Sequence, residues 1–338
     1  MYKIKEAAER FQINPNVLRF YEKKKLIMPE RDVNGYRLYS TEDIARIQMI
    51  LLFRKMGFPL ETITSILEKK SSPIDLFFQQ YEAVNHHIHT MSLIRDSMGK
   101  CIETMFSEGE NVEIIGDQMK DTAHLLSSME QWVDRWDFNS WAEHYDEDVR
   151  KQRSGLDFYK NYDRVLDRTA EIVNEKTGSV VEIGVGTGEL AKRILEKHKV
   201  IGIDQSVNML KTAKRKFREL TVLPGSFLKL PLNDSSADTI VTSYAFHHCK
   251  GEEKMLALKE MDRVLKRDGR VIITDLMFRD EEAEKQFLET CTPEERRDFE
   301  DEYFARVDEL EALFHEMGYQ CMAEAVDELI WIVVACLE

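Results

Sequence analysis

The chain has 338 residues, 43% hydrophobic and 32% charged, enough for two folded domains with cores of their own. No apolar run reaches the roughly 18 residues of a membrane span, and the start, MYKIKEAAERF, lacks the apolar core of a signal peptide. Five cysteines stand singly at 101, 249, 291, 321 and 336, so neither a disulfide framework nor a metal site is expected, and a cytoplasmic location is.

Net charge is −15, unevenly spread. Residues 1–70 hold 14 Lys/Arg against 9 Asp/Glu, while the rest hold 33 against 53. A basic head on an acidic body suggests that only the head meets a polyanion.

Residues 4–11 carry an apolar helical face of Ile4, Ala7, Ala8 and Phe11. Asn14 and Pro15 then start a second helix, as N-cap and first position. That helix would present Asn16, Arg19 and Tyr21, the part of a helix-turn-helix that meets base edges and phosphates. RDVNGYRLYS follows, with Asn34-Gly35 as a tight turn between short extended pieces. The resulting wing would offer Arg31, Tyr36, Arg37 and Tyr39 to phosphates. Two more helices complete the head, the first opened by Ser40 with Asp43 and closed by Gly57.

The string from Leu18 to Leu67 resembles the winged-helix head of MerR-type transcription regulators. The match lies at Arg19 to Glu22, Leu26-Ile27, Gly35 to Arg37, and Gly57-Phe58 with Leu60; Lys25 stands where the family commonly has Gly. The resemblance implies double-stranded DNA with a palindromic promoter site as partner, and RNA polymerase as a further one.

Over 74–107 the positions Phe77, Tyr81, Val84, Ile88, Met91, Arg95, Met98, Ile102 and Met105 alternate steps of four and three. That is a heptad seam with one polar interruption, which predicts a coiled coil. In the MerR resemblance this helix forms a homodimer. Cys101, beside the seam, reads as buried filler. SEGENVEIIGD (107–117) reads as a linker, and 118–137 as a helix with Trp132 and Trp136 on one face.

From 138 onward, apolar runs alternate with amphipathic helices, the pattern of an α/β sheet. VVEIGVGTG (180–188) is a strand running into Gly184, Gly186 and Gly188, with Glu182 ahead of them and Asp204 at the end of the next strand. The spacing is not the G-x-G-x-x-G of dinucleotide folds. It resembles the cofactor loop of class I S-adenosylmethionine (SAM) methyltransferases, a seven-stranded Rossmann-like fold. That resemblance implies SAM as cofactor, with Glu182, the three glycines, Asp204 and Gln205 around it. Ser226 and Phe227 would stand on the adenine side and Ser243 beside the methyl group. Many relatives carry Asp where Ser226 stands.

FNSWAEHYDEDVR (138–150), SYAFHH (243–248) and the closing IWIVVA resemble small bacterial methyltransferases of the YrrT type. Trp141 and Tyr145 would then lie over the cofactor, where aromatic faces favour a sulfonium. His247, His248 and Tyr244 are the candidate general bases at the fourth strand's exit, His247 slightly preferred. The exit has no Pro-Pro, as amino-group DNA methyltransferases have, and no Pro-Cys. A small-molecule acceptor is expected.

The whole reads as a multidomain chain: an all-α winged head at 1–70, a dimerisation helix at 74–107, a linker and helix at 108–137, and a methyltransferase domain at 138–338. The expected function is a MerR-like regulator with a fused small-molecule methyltransferase; the alternative is a catalytically silent sensor of SAM or S-adenosylhomocysteine.

Overall fold

A computed structural model describes residues 1–108, 116, 120, 138–151, 156–297, 299 and 302–337. Trp132 and Trp136, and nearly all of the expected linker and second helix, lie outside the described residues. The chain divides into two compact units, Met1–Ala83 and Val84–Glu338.

The first unit opens with strand β1 (Tyr2–Lys3) and helices α1 (Ile4–Arg10) and α2 (Pro15–Lys23). The Asn14 side chain accepts the Asn16 N–H at 2.9 Å, so α2 starts where the sequence indicates. Strands β2 (Glu30–Arg31) and β3 (Arg37–Tyr39) form a hairpin, and β1 adds to β3 in a three-stranded sheet. The head is therefore not all-α. Its hairpin tip is held by the Asp32 side chain, which accepts the N–H groups of Asn34 and Tyr36 at 2.9 and 2.8 Å.

Helices α3 (Thr41–Lys55) and α4 (Leu60–Leu67) close the core around Leu18, Ile27, Ile47, Ile50 and Ile63. Ser40 and Asp43 form a reciprocal cap at the start of α3, with bonds of 3.0 and 2.8 Å. The 36-residue helix α5 (Pro73–Glu108) begins by setting Phe77 edge-on against Phe53 and Phe58, with ring centres 5.8 and 5.0 Å away. Along α5, Val84, Ile88, Met91, Met98 and Ile102 are exposed, and Cys101 is buried.

The second unit is built on one sheet. Strands β4 (Ser179–Ile183), β5 (Lys199–Asp204), β6 (Thr221–Pro224), β7 (Ala237–Ser243) and β8 (Leu265–Phe278) run parallel in the order β6-β5-β4-β7-β8. Two strands continue the sheet beyond β8 in antiparallel pairing: β11 (Ile330–Leu337) lies next to β8, and β10 (Tyr319–Ala325) is outermost. A two-residue strand, β9 (Ala305–Arg306), pairs with β8 off this path. Val181, Ile183, Ile240, Ile273 and Val333 belong to one buried cluster.

The Asp268-Gly269 pair lies within β8, whose pairing with β7 is irregular between Ala237 and Thr239. No helix among the described residues is long and apolar enough to cross a membrane.

Candidate functional site

Chain order reverses in the sheet between β4 and β7, and the glycine loop leaves β4 at that switch, where open α/β sheets bind ligands. Gly184, Gly186 and Gly188 have φ of +71°, +51° and +88°, conformations that side chains disfavour. Their surroundings differ. A Cβ at Gly184 would stand 2.4 Å from that of Ala245, and one at Gly188 would stand 3.0 Å from the Phe217 ring. One at Gly186 would meet nothing within 4 Å. Gly184 and Gly186 line a cavity with an empty volume of about 890 Å³, counted to its open mouth. Gly188 does not line it; this glycine serves packing against Phe217, a correction to its expected place.

Asp204 lines the cavity with both carboxylate oxygens oriented by backbone: one accepts Gly186 N–H at 2.8 Å, the other Ser206 N–H at 2.8 Å. Glu182 also lines it, 1% exposed. Burial first, and then the neighbouring Asp204, hold its carboxyl well above the usual range, favouring the protonated form. Its Oε2 has no hydrogen-bond partner among the described residues. A buried polar atom left open in a cavity wall fits a polar ligand that completes it. Gln205, Ser226, Phe227 and Ser243 line the same space.

The segment 138–151 covers the loop. Helices Phe138–Trp141 and Tyr145–Asp148 are docked through Asn139, whose Oδ1 accepts from Ser206 Oγ at 2.9 Å. Salt bridges fasten the other side: Lys216 reaches Asp146 and Glu189 at 2.5 and 2.6 Å, and Arg150 reaches Glu189 and Asp163 at 2.8 Å each. Tyr145 lines the cavity; Trp141 does not. Trp141 instead stacks on Phe138 at 6.3 Å and meets Tyr145 at 4.8 Å, its indole N–H donating to Asp148 at 2.9 Å. The aromatic that reaches the cavity in its place is Phe138, which the sequence reading missed although it opens the same motif.

At the exit of β7, Tyr244 has φ +51°, and its hydroxyl has no hydrogen-bond partner among the described residues. It lines the cavity with Tyr162, their ring centres 5.3 Å apart. The next three N–H groups, of Ala245, Phe246 and His247, all donate to one oxygen of Asp275, at 3.1, 2.6 and 3.1 Å. The other oxygen meets His247 Nδ1 at 2.5 Å. Burial disfavours the His247 imidazolium, but Asp275 outweighs it and raises the pKa.

His247 does not line the cavity; His248 does. Burial, then the adjacent His247, pushes His248 down to about 4, so its ring is neutral near pH 7. The slight preference for His247 as base is thus reversed: it is buried behind its neighbour. Glu302 approaches both rings, its Oε2 lying 3.5 Å from His247 Nε2 and 3.5 Å from His248 Nδ1. Asp275 and Glu302 were invisible as site residues because no local motif marks them.

In the head, Asn16 and Arg19 are exposed on α2, and Arg19 Nη1 donates to Asn16 Oδ1 at 2.6 Å. Tyr36 is exposed at the hairpin. Arg31 pairs with Glu22 at 2.9 Å, and Arg37 pairs with the same carboxylate. Tyr21 and Tyr39 are buried at 6% and 0% exposure and belong to the head's core, which corrects their expected place on the DNA face.

The sheet order with its antiparallel outer pair, and the cavity at its switch point, define a class I methyltransferase domain. Residues 181–273 match the family described as a methyltransferase domain, and residues 2–70 match the MerR HTH family of regulatory proteins. An uncharacterized methyltransferase of Geobacillus thermodenitrificans is 35% identical over 206 residues, covering 59% of this chain and 94% of the relative. One from Geobacillus kaustophilus is 36% identical over 218 residues, covering 62% and 96%. A magnesium protoporphyrin IX methyltransferase structure from Synechocystis is similar at 16% identity and a TM-score of 0.47, over 60% of this chain and 96% of that one. The chain belongs to the methyltransferase family of these Geobacillus relatives and carries a MerR-family regulatory head at its N-terminus. The cofactor of such a domain is SAM, and the cavity's paired acids and aromatic walls fit it.

Proposed function

We propose that this chain is a DNA-binding regulator whose second domain is a working SAM-dependent methyltransferase for a small molecule, with cofactor or acceptor as effector. The observation that carries this reading is the open Oε2 of Glu182 beside the oriented carboxylate of Asp204 in one cavity. Bound SAM supplies an activated methyl group; the protein's part is orientation and exclusion of water. Asp204 would take the ribose hydroxyls and Glu182 would orient the loop and the amino-acid end. Gln205, Ser226 and Phe227 would stand on the adenine side, and Ser243 and Tyr244 on the methyl side. Phe138 and Tyr145 would close the cavity over the cofactor. His248, neutral and in the cavity wall, is the better-placed base for an acceptor that must lose a proton.

In this reading residues 1–70 are a winged DNA-binding domain, 74–107 a dimerising coiled coil, 108–137 a connection and 138–338 the methyltransferase. Asn16 and Arg19 would enter the groove, with Arg31, Tyr36 and Arg37 near phosphates. The exposed seam of α5 supports a two-fold dimer, since such a stripe costs free energy in water until covered. A palindromic promoter site and RNA polymerase complete the partners. An effector would act by binding the dimer's two DNA-bound conformations with different affinity.

Labelled methyl transfer from SAM to a metabolite extract tests the enzyme. A labelled small product is expected. No product at any SAM level, with SAM still bound, would favour the silent sensor instead; Ser226, uncharged on the adenine side, is the residue that favours that second reading.

A further inference from the structure

We propose that His247 Nε2, His248 Nδ1 and the Glu302 carboxylate form a site for one divalent transition-metal ion at the cavity wall. The three ligand atoms lie within 4.8 Å of one another. Each imidazole nitrogen is 3.5 Å from the same Glu302 oxygen. Ligand atoms around a tetrahedral ion with bonds of about 2.0–2.1 Å stand roughly 3.4 Å apart, so the two edges to Glu302 already have the required length and the edge between the imidazoles is at most 4.8 Å. Two imidazoles and a carboxylate are the set that zinc accepts in catalytic sites, where three protein ligands leave a fourth position open.

The surroundings prepare the ligands. His247 Nδ1 donates to Asp275, so in the neutral ring the Nε2 lone pair faces Glu302. Asp275 is itself held by the three N–H groups of residues 245–247, so the ring has little freedom. Glu302 is tied to the histidine pair from its own side. Tyr303 N–H donates to the His247 carbonyl at 3.1 Å. Lys254 Nζ donates to the carbonyls of Cys249 and Tyr303 at 2.6 Å each, clamping both segments. The side chains of His247, His248 and Glu302 are 2%, 14% and 18% exposed, so an ion between them is shielded from water. A cation offsets the cost of burying a carboxylate between two rings.

Metal binding here stands apart from the cofactor reading, but an imidazole bound through Nδ1 keeps its proton on Nε2, so a bound ion would replace the base role given to His248 above. The test uses the full chain, stripped with chelator and dialysed against micromolar zinc, with bound metal counted by elemental analysis and cobalt replacing zinc for visible spectroscopy. One zinc per chain is expected, with tetrahedral cobalt absorption. Glu302→Gln and His248→Gln should each weaken zinc binding at least about 100-fold, and Asp275→Asn about 10- to 100-fold. The exposed His315→Gln should retain it. Glu302 is partly exposed, so its variant should fold even where Asp275→Asn does not. A wild-type chain without stoichiometric zinc, or zinc undiminished in both ligand variants, overturns the site. SAM binding is titrated in the same samples. SAM bound without zinc sinks the metal site alone, and zinc bound without SAM sinks the cofactor reading alone.

Discussion

Asp204 and Gly186 are joined by a hydrogen bond of 2.8 Å, carboxylate to loop N–H, across the ends of two adjacent parallel strands. The bond orients the acid and shapes the loop at once. Asp204→Asn keeps one oxygen acceptor and nearly the same volume but removes the charge. SAM affinity should fall about 10- to 100-fold, the worth of a charge-assisted hydrogen bond, and the melting temperature should fall modestly, because the Asn NH2 leaves one of the two backbone N–H groups without an acceptor. Calorimetric titration beside a thermal melt checks this; unchanged affinity would remove Asp204 from the cofactor site.

Gly184 and Gly186 should separate folding from binding. Alanine at 184 meets Ala245 at 2.4 Å in a disfavoured backbone region, and should destabilise the domain by about 3 kcal/mol. Alanine at 186 carries only the backbone strain, about 1 kcal/mol, because it projects into open space. Gly186 lines the cavity, so Gly186→Ala should lose cofactor affinity disproportionately. Denaturation and SAM titration of both variants decide it.

Asp238 anchors the start of β4, accepting Ser179 N–H and Oγ–H at 2.8 and 2.7 Å and pairing with Lys266 at 2.9 Å. Lys266 first, then the Ser179 backbone N–H, hold its carboxyl down to about 2. A depressed folded-state pKa gives stability that is present above the unfolded value, near 3.8, and is lost as pH falls toward about 2. The side chain is 38% exposed, so solvent screening keeps the contribution small. Asp238→Asn should lower the melting temperature at neutral pH, and the gap to wild type should close between about pH 4 and pH 2. Melting curves across that range read it directly.

The head offers a contrast between two residues of the same resemblance. Arg19→Ala should weaken DNA binding and, if it meets a phosphate, lower the salt slope by about 0.9. Tyr39→Phe should bind DNA as wild type does, because the ring is wholly buried. Its hydroxyl has no hydrogen-bond partner among the described residues, so the variant should be as stable or up to about 1 kcal/mol more so. Binding measured over a salt series checks the first, and a thermal melt the second.

Several features of this protein were legible in one dimension because they are local. The loop from Glu182 to Gly188 and the acid at 204 sit in a single strand-turn-helix-strand unit, whose spacing is set by backbone geometry alone. The Asn14 and Ser40 caps, each two or three residues from the N–H that it accepts, are likewise written in adjacent positions. Which side chain of a pair faces inward is decided elsewhere. Tyr21 and Tyr39 lie in a motif shared with DNA readers, yet packing against the head's core takes both rings. His248 reaches the cavity and His247 does not, because Asp275, on a neighbouring strand, gathers the three N–H groups and the imidazole behind the exit turn. Trp141 is drawn back by Asp148 and Phe138 goes forward. Glu302 meets the histidines only after the chain has crossed β8, so no spacing rule could join them. Sequence determined the elements and the loop chemistry, since both depend on near neighbours. Tertiary structure decided the inward faces, since burial and long-range hydrogen bonds exist only once the sheet has assembled.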